Sequence, residues 1–107
     1  LGLNRLIKLD IVSAVALTHS NHMSKTGLVS HDNFSDRHLE LVNNVNAKAV
    51  GENVGFGYNS AQSVFKAWIL SDSHKHLIEN SNVTHFGISI VTNSKGRNYF
   101  TQIFILK

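Results

Sequence analysis

The last quarter of this chain changes its hydrophobic period, and no other feature limits the possible folds as much. Residues 85–92 alternate, with Phe86, Ile88 and Ile90 on one face. Asn93-Ser94-Lys95-Gly96-Arg97 has turn chemistry, and residues 98–106 alternate again through strong β-formers. The pattern predicts an antiparallel hairpin. In its second strand Phe100, Phe104 and Leu106 share one face and Tyr99, Ile103 and Ile105 the other, so both sides are apolar and helices are expected to cover both.

Upstream the period is helical. Asp10 reads as the N-cap of a helix over residues 10–25, with Val12, Val15, Ala16, His19 and Met23 as its buried stripe and Gly27 as its stop. His19 is therefore expected to be a hydrogen-bonded core histidine. Ser35 can cap a second helix with Leu39, Val42 and Val45 inward, weakened at its end by Asn43, Asn44 and Asn46. Asn59 or Ser60 caps a third, in which Ala61, Val64, Phe65, Trp68 and Ile69 give a broad apolar face; it is expected to end near residues 71–73, with a short turn presenting His74. Three helices before a hairpin, with residues 54–58 as a third strand, predict an α+β domain, an α-β-α sandwich on a three-stranded antiparallel sheet.

The 107 residues make one domain over 1–107, long enough to bury roughly 65% of the unfolded surface. Without cysteine there is no disulfide framework and no thiolate metal site, so packing must hold the fold. The formal charge of +3 comes from ten lysines and arginines scattered singly, which argues against nucleic acid as a partner. No apolar run approaches the ~20 residues of a membrane helix. The first residue is leucine and no basic-then-apolar leader follows, so any signal or lipid anchor upstream is expected to have been cut away.

Chemistry gathers around Gly51-Glu52-Asn53-Val54-Gly55-Phe56-Gly57-Tyr58. Three glycines in seven residues mean a sharp turn or a close backbone approach, and the segment carries one carboxylate. His31 precedes it and His74 follows it, and the three are expected to converge. Two histidines and a glutamate with an open water position form a known catalytic zinc set, though separations of 21 and 22 residues do not demand it. The other reading of these residues is that Glu52 braces the glycine segment through backbone amides. Ser30-His31-Asp32 is not a triad, because consecutive side chains cannot relay to one another.

These same residues carry a resemblance. Met23-Ser24-Lys25-Thr26-Gly27, Ser30-His31-Asp32, Gly51-Glu52-Asn53-Val54, Ala67-Trp68-Ile69-Leu70-Ser71, Ser73-His74-Lys75 and Thr84-His85-Phe86-Gly87-Ile88, in this order and spacing, resemble the CAP or SCP superfamily (cysteine-rich secretory proteins, antigen 5 and pathogenesis-related 1 proteins), in its cysteine-free bacterial branch. The resemblance implies an α-β-α sandwich with a cleft lined by His31, Glu52, Ser71 and His74. Ser71 stands where many eukaryotic members carry a second glutamate. His31 and His74 match the histidines through which some members bind zinc, so Zn2+ is the cofactor implied, and His19 matches a histidine common in the bacterial branch. Family members are secreted or surface-exposed and have been linked to lipid or sterol binding, proteolysis and recognition of host or partner proteins. With no activated nucleophile to name, the expected function is a non-enzymatic surface or secreted binding module. The alternative is a zinc-assisted, peptidase-like hydrolase in which His31 and His74 hold the metal and Glu52 is general base or third ligand.

Overall fold

The structure, a computed structural model, describes residues 6–70 and 83–107. Its elements run β1 (Ile7–Lys8), α1 (Asp10–Thr26), α2 (Phe34–Val45), β2 (Ala49–Phe56), α3 (Ala61–Leu70), β3 (His85–Thr92) and β4 (Asn98–Leu106). The sheet order is β1-β3-β4-β2. Helices α1 and α2 cover one face, where Val12, Val15, Ala16, Leu41 and Val45 pack on Ile103 and Ile105. Helix α3 covers the other, where Val64 and Trp68 pack on Phe100 and Phe104. Both apolar faces of β4 are thus buried, as its alternation requires.

The expected three-stranded antiparallel sheet is corrected to four strands of mixed direction. Strand β1 runs parallel to β3, Ile7 opposite His85, while β2 and β3 lie antiparallel to β4. Two residues are too short to show alternation, which is why β1 has no sequence signature. Strand β2 begins at Ala49 rather than Val54, so Gly51-Glu52-Asn53 is extended chain and not a turn. Gly55 serves close approach. A Cβ on Gly55 would lie 2.5 Å from Val64 Cγ2, and left-handed backbone appears only afterwards, at Gly57 with φ 82°. The Trp68 indole Nε1–H donates to the Val54 carbonyl at 3.0 Å, covering part of the outermost strand.

Helix α1 buries all five residues of its predicted stripe and stops at Gly27, whose φ is 74° and whose N–H donates to the Met23 carbonyl at 2.9 Å. Leu9, not Asp10, takes the extended cap position. Asp10 falls in the first turn, where a carboxylate still suits the positive end of the helix. In α2 the buried residues are Arg37, Leu41 and Val45, and Leu39 is 57% exposed. Reading 39, 42 and 45 as the inner stripe kept a charge out of the core; the structure puts that charge in. The cap of α2 is Asn33 at φ 61°, not Ser35, and the Asn33 carbonyl accepts the N–H groups of Asp36 and Arg37. Ser60 caps α3, its Oγ accepting the Ser63 N–H at 3.1 Å, while Phe65 is 37% exposed.

The tightest contact between layers is α1 on β3. A Cβ on Gly87 would overlap Ser13 N and Val12 C, and both are backbone atoms that cannot rotate away. Further along α1, the Ser20 hydroxyl hydrogen-bonds those of Ser89 (2.7 Å) and Thr101 (2.8 Å) in the buried interface. This fixes the height and rotation at which α1 presents His19. Gly87→Ala is expected to destabilise the fold by about 3 kcal/mol, the upper range of overpacking costs, through separation of α1 from the sheet. Urea unfolding checks this, and a midpoint within experimental error of the parent would refute so close a contact.

Candidate functional site

Glu52 lies on the face of β2 that α1 and α2 cover, opposite Ile103 of β4. Its carboxylate is 1% exposed. A charge there costs several kcal/mol unless every lone pair is matched. Arg37 supplies most of the match: Nε donates to Oε2 at 2.6 Å and Nη2 to Oε1 at 2.7 Å, a two-pronged pairing. The His31 Nδ1–H donates to Oε1 at 2.8 Å. Both carboxylate oxygens are therefore engaged.

The loop bearing His31 is held from both sides by buried donors. His19 donates from Nε2 to the Ser30 carbonyl at 2.6 Å, and Arg37 donates from Nη1 to the Asp32 carbonyl at 2.5 Å. The His31 carbonyl itself accepts the Phe34 N–H, so the loop turns directly into α2. Its ring, 54% exposed, is thus held at Nδ1, and Nε2 has no hydrogen-bond partner among the described residues. The Nδ1–H contact to Glu52 selects the tautomer with a lone pair on Nε2.

His19 is the core histidine expected from its helix stripe. Because a carbonyl can only accept, its Nε2 carries the proton, and Nδ1 is buried with no partner. Burial pushes its pKa below the ordinary 6.5. Nearby Arg37 and His22 push the same way, against the Ser30 carbonyl and Glu52 3.8 Å away, so the ring stays neutral. His22 stacks on His19 at 6.0 Å and reaches exposed Asp32 at 3.3 Å, and this hydrogen bond holds the Asp32 carboxyl below its usual range. Among the described residues Asp32 thus pairs with His22.

Of the predicted residues, His31 and Glu52 meet directly. Ser71 and His74 lie outside the described residues. Glu52 does brace, but it does so through side chains on two other elements and not through amides of the glycine segment. Sequence reading missed Arg37, the residue that makes a buried Glu52 tolerable. A signal for it existed: Arg37, Leu41 and Val45 recur every four residues, and a cation on that stripe requires a buried carboxylate elsewhere.

The family model described as "CAP: Cysteine-rich secretory protein family" matches residues 2–104. Among curated proteins, the "Uncharacterized membrane protein YlbC" of Bacillus subtilis is 29% identical over 109 residues, covering 97% of this chain and 30% of that protein. The "Uncharacterized protein YkwD" of the same organism is 36% identical over 63 residues, 59% of this chain and 23% of that protein. The chain therefore spans less than a third of the length of either relative. Among solved structures, an outer surface protein from Borrelia burgdorferi superposes with a TM-score of 0.86 at 20% identity, covering 98% of this chain and 80% of that one. An extracellular protein containing a SCP domain from Bacillus anthracis gives 0.85 at 24% identity, with 98% and 35% covered. At such identities the structural matches speak to the fold.

Two measurements follow from the geometry. Arg37→Met and Glu52→Leu are each expected to cost about 3–5 kcal/mol, because either strands a buried charge, whereas the double variant recovers much of the loss. Urea unfolding of the four proteins checks the cycle, and simple additivity would rule out direct pairing. Stability should also fall as pH drops below the ordinary histidine value of 6.5. In that window the unfolded chain binds a proton at His19 that the folded chain refuses, and the difference favours unfolding. His19→Gln keeps a donor for Ser30 and should flatten that slope; an unchanged slope would clear His19 of responsibility.

Proposed function

The chain belongs to the cysteine-rich secretory protein (CAP) family, and we propose that it is a binding module acting outside the cytoplasm, with His31 as its presented binding group. One observation carries this reading. The buried carboxylate pairs with Arg37 through both oxygens and holds His31 Nδ1 through Oε1, while the His31 side chain is 54% exposed and its Nε2 has no hydrogen-bond partner among the described residues. A general base needs a lone pair free to take a proton, and a third metal ligand needs one free to coordinate. Glu52 accepts three hydrogen bonds, two of them from the buried Arg37 cation that holds it in place, and in this reading it serves as a positioning residue rather than as the base or third ligand of a zinc hydrolase.

The extracellular placement is supported by relatives called an outer surface protein and an extracellular protein, beside one called a membrane protein. None of the described helices is long and apolar enough to cross a membrane. The segment leading into His31 exposes Leu28 (65%) and Val29 (46%), apolar groups suited to contact with a lipid or a partner protein beside the imidazole.

Among the described residues no three His, Cys, Asp or Glu side chains are grouped to hold a metal ion. His31 fits half of a two-histidine zinc site, having one open nitrogen and a carboxylate on the other. In this reading His74 is the second ligand, and a bound zinc would add a Lewis-acidic anchor for a ligand's oxygen or nitrogen. Calorimetry with zinc is expected to show one site, abolished by His31→Ala and by His74→Ala and weakened about 10–100-fold by Glu52→Gln, with melting curves confirming that each variant is folded. Retention of zinc binding in His31→Ala would sink the role given to His31. Peptide hydrolysis that is present in the parent but vanishes in a folded, zinc-loaded Glu52→Gln would restore the hydrolase alternative.

A further inference from the structure

We propose that the concave surface between the C-terminal end of α1 and the β3–β4 turn is a second binding site, for a multiply charged anion of the phosphate-ester class. The site goes beyond the His31 reading and shares no residue with it. The cavity there encloses about 580 Å3, within the usual range of small-molecule sites, and is lined by Lys25, Lys95 and Arg97 with no acidic side chain among the described residues. None of the three cations is in an ion pair among the described residues. Three positive charges around one concavity, opposed only by the negative end of α1 beside Lys25, focus a field that favours an anion.

The site is also built rather than a chance of surface composition. Asn93 Oδ1 accepts the backbone N–H groups of Lys95 (3.0 Å) and Arg97 (2.9 Å), and the Asn93 N–H donates to the Arg97 carbonyl at 2.8 Å. The turn that carries two of the cations is therefore held in one shape. With its oxygen engaged, Asn93 has only its Nδ2 donors left for the cavity. The Arg97 guanidinium lies 5.8 Å from the Phe56 ring centroid, and Phe56 packs on buried Tyr99 at 4.8 Å. Arg97 thus keeps its fork on an aromatic floor at little entropic cost.

Lys25 alone has a simpler use, since a cation in the last turn of α1 offsets the helix's negative end. That role explains neither Lys95 nor Arg97, which belong to a different element. The lining offers donors and cations, so the fitting ligand is rich in anionic acceptor oxygens. A phosphate monoester, carrying about −1.5 to −2 charges at neutral pH, meets this description. It can come from a soluble metabolite or from a phospholipid headgroup.

Calorimetry with inorganic pyrophosphate on the whole chain is expected to give saturable one-site binding that weakens with added salt. Lys95→Ala and Arg97→Ala should each raise Kd about tenfold or more, with Arg97→Lys falling between. Lys8→Ala, which removes the same charge from the exposed β1 edge, should leave Kd unchanged. Vesicles of phosphatidic acid, with phosphatidylcholine vesicles as control, separate the two sources. Sedimentation with the former only, reversed by pyrophosphate, assigns the pocket to a headgroup; pyrophosphate binding without sedimentation assigns it to a soluble ester. Absence of saturable pyrophosphate binding, or an equal loss in Lys8→Ala, overturns the proposal.

Discussion

A carboxylate buried beneath the helices of a 107-residue domain is a liability that the surrounding structure has to answer. Glu52 is answered by Arg37 through two short hydrogen bonds and by His31 through a third. Without the guanidinium the negative charge would be stranded in low dielectric, and without the carboxylate the guanidinium would be. Because Arg37 sits on α2, Glu52 on β2 and His31 on the loop between α1 and α2, one electrostatic requirement fixes the relative placement of three segments. The same guanidinium reaches the Asp32 carbonyl and so sets the path of the loop as well.

This arrangement turns stability into presentation. A solvent-exposed histidine on a loop ordinarily samples several rotamers, and ordering it at the moment of binding costs free energy. Here that ordering is done during folding by groups that are themselves buried. His19 contributes in the same sense from α1, because its neutral ring donates to Ser30 one residue before His31. The close approach of α1 to β3 at Gly87 and the Ser20–Ser89–Thr101 hydroxyl cluster hold that helix in place. The packing of the layers and the geometry of the imidazole are thus consequences of the same contacts.

Helix α1 also reaches the second surface, where its C-terminal residues meet the β3–β4 turn. The two regions differ in chemistry. Around His31 a buried negative charge is neutralised and a ring nitrogen lone pair is offered outward. At the hairpin end, positive charges accumulate without a carboxylate partner among the described residues. Both regions lie on the side of the sheet that α1 covers, yet they share no residue.

The periods of the sequence were enough to determine three helices, a terminal hairpin, the stripe of α1 down to its buried histidine, and the requirement for helices on both faces of β4. These are local or near-local properties, set by backbone geometry and by the two-faced apolar pattern. The ordered motifs around His31 and Glu52 pointed to the family. What the sequence left open depends on contacts between distant segments. Whether Gly51-Glu52-Asn53 turns or extends was decided by pairing with β4, and β1 exists only because β3 offers it an edge. The partner of Glu52 is likewise a guanidinium fifteen residues away, which a hydrophobic pattern tends to place at the surface. Partners of a buried charge are chosen by three-dimensional proximity in low dielectric, which sequence order does not encode.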